Sequence, residues 1–363
     1  MSINTIDSPV RRKVTEVYEL IEKVSNRIKN TRNTSINEVC KISIIDIDNW
    51  EWAQGVCIFG LYTYAKQTKN DRELAWIKSW IDKNIKKGLP ERNINTTAPL
   101  LTTAFIGEDT NNAEYLSLCR EWAEWIVTDL PKTKFGGYQH VVSDGPNTEQ
   151  LWDDTLFMTV LFMAKMGVMD QRKEYLKACE YQFLLHTHYL QDRKSGLWYH
   201  GWTFDGNHNF ANALWGRGNG WITAFIPNYL EMTGGDCAIK EYMLSVLNAQ
   251  AEALAACQDE SGLWHTLLDD ETSYLEVSAS AGVAYGILKA VRMGILDIKY
   301  KNMAMKAVRA VIENIDDDGT VLNVSYGTGM GKTLQDYRDI PICPMTYGQS
   351  LAIMMLAEVL KHI

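Results

Sequence analysis

The chain has 363 residues, and 46% of them are hydrophobic, enough for a sizeable core. Its net charge of −9 argues against a nucleic-acid partner, whose binding needs clustered Lys and Arg to displace counterions. No apolar run reaches membrane-spanning length and residues 1–10 contain no apolar signal region, so a cytoplasmic protein with no membrane partner is expected.

The first helical pattern is a charged-faced stretch at 11–29, followed by an apolar one at 50–68. The alternation then repeats: charged 71–87, apolar 93–106, charged 112–130, apolar 152–166, charged 171–189, apolar 215–232. It ends with charged 238–258, apolar 274–295, charged 300–316 and apolar 343–360. The apolar stretches begin 43, 59, 63, 59 and 69 residues apart, and the whole makes twelve helices in six pairs. A helical hairpin cannot bury its apolar face alone, so the pairs must pack side by side. Six pairs can close into a ring, with the apolar helices inside. No Pro-, Gly- or Ser-rich linker breaks the rhythm, so one domain over 1–363 is expected. All six inner helices start at the same end, and their opening residues converge there on one pocket.

The loops keep the same rhythm. FGGYQH (135–140), DRKSGLWYH (192–200), DESGLWH (259–265) and DDDGTVL (316–322) each set a Gly turn before a short extended segment. Each leads towards the next inner helix, which brings His140, His200 and His265 to the pocket rim. Twelve Trp and seventeen Tyr are available for such a rim. Flat aromatic faces suit the C–H faces of sugars. Trp76, Trp80, Trp122 and Trp125, at helical spacing in charged helices, are better read as helix packing. The seven cysteines are scattered and none forms CxxC, which fits free thiols in a reducing compartment.

Trp152-Asp153-Asp154 heads the third inner stretch. Asp is favoured there simply as a cap and by the helix dipole. The apolar run Leu156-Phe157-Met158 follows at once, so one carboxyl should sit at the buried boundary. Desolvation and a like-charged neighbour raise a pKa there, while the helix N-terminus lowers it. A carboxyl kept protonated near neutral pH can serve as a general acid.

Trp215-Gly216-Arg217-Gly218-Asn219-Gly220-Trp221 heads the fourth stretch. Its glycines allow close approach of a ligand, which we place between Trp215 and Trp221. Arg217 then either meets an anionic group through its bidentate fork or bonds Asp153 or Asp154. A phosphate cradle is the weaker reading, because the spacing is not that of a nucleotide loop and no strand precedes it. The seven histidines show no HxxxH or HExxH pairing, and His186 and His188 point differently on one helix. Neither a metal nor a cofactor is expected.

Taken in order, WEWAQGV (50–56), GGYQH (136–140), WDDTLFM (152–158), GLWYH (196–200), 215–221 and 274–281 resemble the unsaturated glucuronyl and rhamnogalacturonyl hydrolases. The rhamnogalacturonyl branch, glycoside hydrolase family 105, is the better match. Gly327-Thr328-Gly329 and Tyr347-Gly348 extend the likeness to nearly the whole chain. The resemblance implies an all-α (α/α)6 barrel. It also implies an oligosaccharide substrate ending in a 4,5-unsaturated uronic acid, with rhamnose next. Hydration of the enol ether would be served by Asp154 as general acid and base. Trp52, His140, Trp152, His200, Trp215, Arg217 and Trp221 match pocket positions of the family. Asp153 is a candidate to stabilise the cationic transition state if ionised. Related sequences can carry a second acid where this chain has Asn95; an amide cannot donate a carboxyl proton, so the acid–base work falls on Asp154.

Rival readings differ in chemistry. A conventional inverting glycosidase needs a second carboxyl about 6.5–9.5 Å away, for which Glu51 and Asp205 are candidates. An epimerase would use His140 and His200. A non-catalytic carbohydrate-binding protein would bind and turn over nothing.

Overall fold

The computed structural model describes residues 9–32, 45–235 and 237–363. Cys40 and residues 1–8, on which two of the expectations above rest, lie outside the described residues. The inner helices are α2 (Trp52–Thr68), α4 (Ile94–Thr110), α6 (Leu161–Met169), α8 (Gly216–Met232), α10 (Val277–Arg292) and α13 (Thr346–Val359). Each packs on the next, and α13 packs on α2, so the ring closes. The outer helices are α1 (Pro9–Lys29), α3 (Asp71–Lys87), α5 (Ala113–Thr128), α7 (Lys173–Leu190), α9 (Lys240–Ala256) and α11 (Lys301–Glu313). Outer α3, α5, α7, α9 and α11 back α2, α4, α6, α8 and α10 in turn, while α1 backs α13. The fold is an all-α (α/α)6 barrel whose first outer helix completes the last hairpin.

The sequence pattern dictates this division. Residues 216–230 of α8, 277–290 of α10 and all of α13 are buried on every side, as helices apolar all round must be. In α3 the buried positions are Glu73, Ile77, Trp80, Ile81 and Asn84, a single stripe facing the ring. The four predicted loops turn on Gly136, Gly196, Gly262 and Gly319 at φ between 77° and 99°, a left-handed conformation that a side chain would strain. Three of them close with the bridges Lys132–Tyr138, Gln191–Trp198 and Ile315–Val321.

One predicted helix start differs. Gln150–Trp152 is a strand, β1, paired antiparallel with β2 (Gly201–Thr203), with Trp152 opposite Gly201. Helical turns begin at Asp154 and run through a wide π turn, Leu156–Val160, in which Leu161 N–H reaches Leu156 O. The strand pairing claims the backbone of Trp152, so the helix starts two residues later. The π turn packs on α4 and α8, and such turns are common beside functional sites. A second short ladder joins β3 (Trp264–His265) to β4 (Leu275–Glu276). A five-residue helix, α12 (Leu334–Arg338), has no counterpart in the sequence reading.

Candidate active site

A cavity of about 660 Å³ opens at the end of the ring where the inner helices begin. Of the residues singled out from sequence, Trp52, Asn95, His140, Trp152, Asp154, Trp215 and Arg217 line it. They come from the starts of inner helices, from β1 and from the loop before it. Glu51 caps α2, accepting from Trp52 N–H at 2.8 Å, and this aims Trp52 into the opening. The Asn93–Thr96 capping box does the same for Asn95 on α4.

Three expected pocket residues sit behind the wall instead. Trp221 is fully buried and packs on Phe157, with ring centroids 5.0 Å apart, as part of the core. Asp153 is fully buried and turned away from the cavity. His200 is 1% exposed, its ring 4.2 Å from Trp215 and 5.2 Å from Trp152. The glycines of 216–220 make room for protein rather than for a ligand between two tryptophans. A Cβ on Gly218 would lie 2.0 Å from Asp153 Oδ2, and Gly216 N–H donates to Thr266 O at 2.8 Å. His265 also misses the rim: its Nδ1 lies 2.5 Å from Ser273 O, in the β3–β4 turn.

Strand pairing explains how His200 meets the two aspartates, which are 46 or more residues away in sequence. The β1–β2 register puts Asp153 N–H on His200 O at 3.0 Å. His200 Nε2 then lies 3.3 Å from Asp154 Oδ2. On the other side His140 stacks on Trp152 at 4.2 Å, and its Nδ1 is 2.8 Å from Thr155 Oγ1. Asp154 retains 15% of its side-chain exposure and faces the cavity.

The electrostatics part the two carboxyls. Burial, then the charge of Asp154, pushes Asp153 well above the usual carboxylate range. Burial also pulls Asp154 upward, but His200 and His140 together outweigh it and hold it below that range. One proton is therefore kept between them, and at rest it sits on Asp153. This reverses two expectations: Asp153 is the neutral member and cannot steady a cation as an anion, and Asp154 rests as a carboxylate. His140 is pushed down to about 3 by burial, against the pull of Asp154. Burial lowers His200 as well. Both rings are neutral near pH 7. Asp153, Asp154 and His200 bring donor atoms within 4.8 Å of one another, the one such cluster among the described residues. A neutral carboxyl in the set suits a shared proton better than a cation.

Arg217 binds protein rather than either aspartate. Its Nη1 donates to Ser325 Oγ, and its Nη2 donates to Tyr326 O at 3.2 Å and Thr328 Oγ1 at 2.9 Å. The guanidinium is sandwiched between Trp215 and Tyr347, 4.4 and 4.9 Å from the ring centroids. It thus pins the segment 325–328 to the cavity wall, and its fork is not free for a bidentate ligand. Lys332, further along the same segment, also lines the cavity and is exposed, with no ion pair among the described residues.

Of the rival acids, Asp205 is exposed and off the cavity, whereas Glu51 lines it. Both Glu51 oxygens are engaged, one by Trp52 N–H at 2.8 Å and one by Ser143 Oγ at 2.6 Å. The residue that sequence reasoning missed is Tyr337. It is 1% exposed, and its Oη lies 2.7 Å from His200 Nδ1.

Comparison with known proteins places this architecture. The model for Glycosyl Hydrolase Family 88 matches residues 21–363. A curated relative, the unsaturated rhamnogalacturonyl hydrolase YesR of Bacillus subtilis, is 34% identical over 317 residues, covering 86% of this chain and 90% of its own. An unsaturated 3S-rhamnoglycuronyl hydrolase of an Alteromonas species is 29% identical, covering 85% and 77%. A crystal structure of a possible family 105 member from Salmonella enterica superposes with a TM-score of 0.93 at 44% identity, over the whole of both chains.

Proposed function

Because the chain belongs to Glycosyl Hydrolase Family 88 and is a glycoside hydrolase, we propose that it removes a terminal 4,5-unsaturated uronic acid from oligosaccharides left by polysaccharide lyases. An unsaturated galacturonyl-rhamnose unit is the favoured substrate, on the likeness to YesR. The observation that carries the reading is the divided carboxyl pair. Asp154 alone reaches the cavity, and Asp153 behind it keeps a proton at pH values where an ordinary Asp has none.

The chemistry follows from that pair. A uronate entering the cavity adds negative charge and displaces water, and both effects raise the proton affinity of Asp154. The shared proton passes to Asp154 and from there to C4 of the double bond. Positive charge develops across C5 and the ring oxygen, and water adds at C5 while Asp154, again a carboxylate, takes its proton. The hemiketal opens and the neighbouring sugar is released. No covalent intermediate forms, so no protein nucleophile is required. Trp52 and Trp152 offer ring surface to the sugar. Arg217 and Lys332 supply positive potential for the uronate, the first through the segment it pins. Cys57, Cys119 and Cys179 are buried free thiols, which suits the cytoplasmic setting expected from the sequence.

The test is loss of the enol ether's ultraviolet absorbance on an unsaturated disaccharide. Asp154→Asn should lower kcat by about 10²-fold or more while substrate still binds. Retained turnover in that variant would remove Asp154 from the mechanism. Glu51 in the cavity wall favours a second reading, the inverting glycosidase. That enzyme would cleave a saturated oligosaccharide and leave the unsaturated one intact.

A further inference from the structure

We propose that Tyr337 is a positioning residue for this reaction: its hydroxyl decides which ring nitrogen of His200 carries the proton, and so turns an N–H towards Asp154. The inference rests on the role just given to Asp154.

Tyr337 Oη lies 2.7 Å from His200 Nδ1, and the opposite ring nitrogen, Nε2, lies 3.3 Å from Asp154 Oδ2. The hydroxyl has a single proton to give. Gly331 N–H points at the same oxygen from 3.4 Å, and Met330 Sδ is 3.6 Å away. Two arrangements are open. In one, Tyr337 donates to Nδ1, so the neutral imidazole carries its proton on Nε2 and presents it to the Asp154 carboxylate. In the other, Nδ1 donates to Tyr337, whose own proton falls on the weakly accepting thioether, and a bare Nε2 lone pair faces a carboxylate. The first points an N–H at the carboxylate across 3.3 Å and the second sets lone pair against charge, so the first prevails. Burial pushes the Tyr337 hydroxyl well up, so it remains a donor throughout the working range.

The surroundings agree. The charged and titratable groups facing His200 are Asp153 and Asp154 after β1, His140 from the preceding loop, Arg217 from α8 and Tyr337 from α12. Burial and Arg217 disfavour an imidazolium, and Asp154 favours one. A hydroxyl donating to Nδ1 adds to the first side. Tyr337 is itself held firmly. The Thr333–Asp336 capping box closes its helix, and Arg338 Nε donates to Asp270 Oδ2 at 2.9 Å. It also terminates the cavity-lining segment that contains Met330 and Lys332. A ligand pressing on that segment therefore acts on the proton of His200.

The experiment combines kinetics with direct observation of the ring. Tyr337→Phe keeps the aromatic packing and removes only the hydroxyl. Its kcat should fall about tenfold with KM nearly unchanged. Without the donor at Nδ1 the imidazolium forms more readily, so the acid limb of kcat/KM should move about one unit to higher pH. An unmoved acid limb would reduce Tyr337 to packing and overturn the proposal. Nitrogen-15 NMR of histidine-labelled protein reads the tautomer without turnover. The wild type should show the Nε2–H form at His200 and Tyr337→Phe a mixture; an Nδ1–H form in the wild type would also overturn it. If instead Asp154→Asn stays active while the tautomer result holds, it is the catalytic reading that has failed.

Discussion

Asp153 and Asp154 are adjacent and chemically identical, yet the fold gives them different charges. Asp153 lies against Gly218 with neither carboxyl oxygen hydrogen-bonded by the usual geometry, and burial makes its ionisation costly. The sign of the resulting pH dependence is fixed. A carboxyl raised in the folded state stabilises the fold fully below its ordinary pKa, and that contribution is lost as pH rises through the raised value. Asp153→Asn, permanently neutral, removes this dependence. As pH rises above about 4, the ordinary value for an Asp carboxyl, the melting temperature of the wild type should fall relative to that of the variant. With no proton to lend, the variant should also lose about 10²-fold or more in kcat. Parallel melting curves across that range would mean that Asp153 is not the neutral partner. The sequence carried half of this. The acidic pair ahead of an apolar run announced a buried carboxyl, but which of the two faced inward depended on where the helix began, and strand pairing with β2 moved that point.

Elements were legible where periodicity was strong and capped. The stretch expected at 71–87 is α3, Asp71–Lys87, with Asn70 as its cap. The stretch expected at 274–295 instead opens as a strand, Leu275–Glu276, and becomes helical from Val277. Two-residue ladders and π turns leave no periodic signature, since long-range pairing determines them. Tyr337 stayed hidden for the same reason: it lies on one turn and a half of polar helix, and only tertiary contact with His200 gives it meaning. The glycines heading α8 were visible, but their purpose was not. At Gly218 the missing side chain admits Asp153, because a Cβ would stand 2.0 Å from its Oδ2. Gly218→Ala should cost about 1–3 kcal/mol of stability by forcing that carboxyl aside. Activity per folded molecule should fall more steeply than stability, since the carboxyl displaced is the one holding the shared proton. A variant with reduced stability and full specific activity would show that the Asp153 position is immaterial to turnover.

At the scale of the whole molecule, the ring differs from an open array of hairpins because its ends meet. Open repeats can fray from either terminus, with each unit touching its neighbours alone. Here α13 packs on α2 and takes α1 as its backing helix, so the last hairpin draws on both ends of the chain. The seam is tight. Ser350 Oγ donates to Val56 O at 2.8 Å, and a Cβ on Gly60 would stand 2.1 Å from that Oγ. The count of six hairpins was readable in advance, but this seam was not, because nothing in the local sequence of 50–68 marks which helix will cover it. Opening the seam would expose apolar faces of α2, α13 and, through α13, α10. We therefore expect residues 1–363 to unfold as one cooperative unit, although the cavity lies at one end of the ring. Gly60→Val tests this away from the active site. It should destabilise by about 1–3 kcal/mol or more through overpacking at the seam. The far-ultraviolet signal of the helices, the near-ultraviolet signal of the cavity tryptophans and the loss of activity should all move together to a lower temperature. A two-step melt, with activity outlasting an early loss of helix, would show that the hairpins around Asp154 hold together without the closed ring.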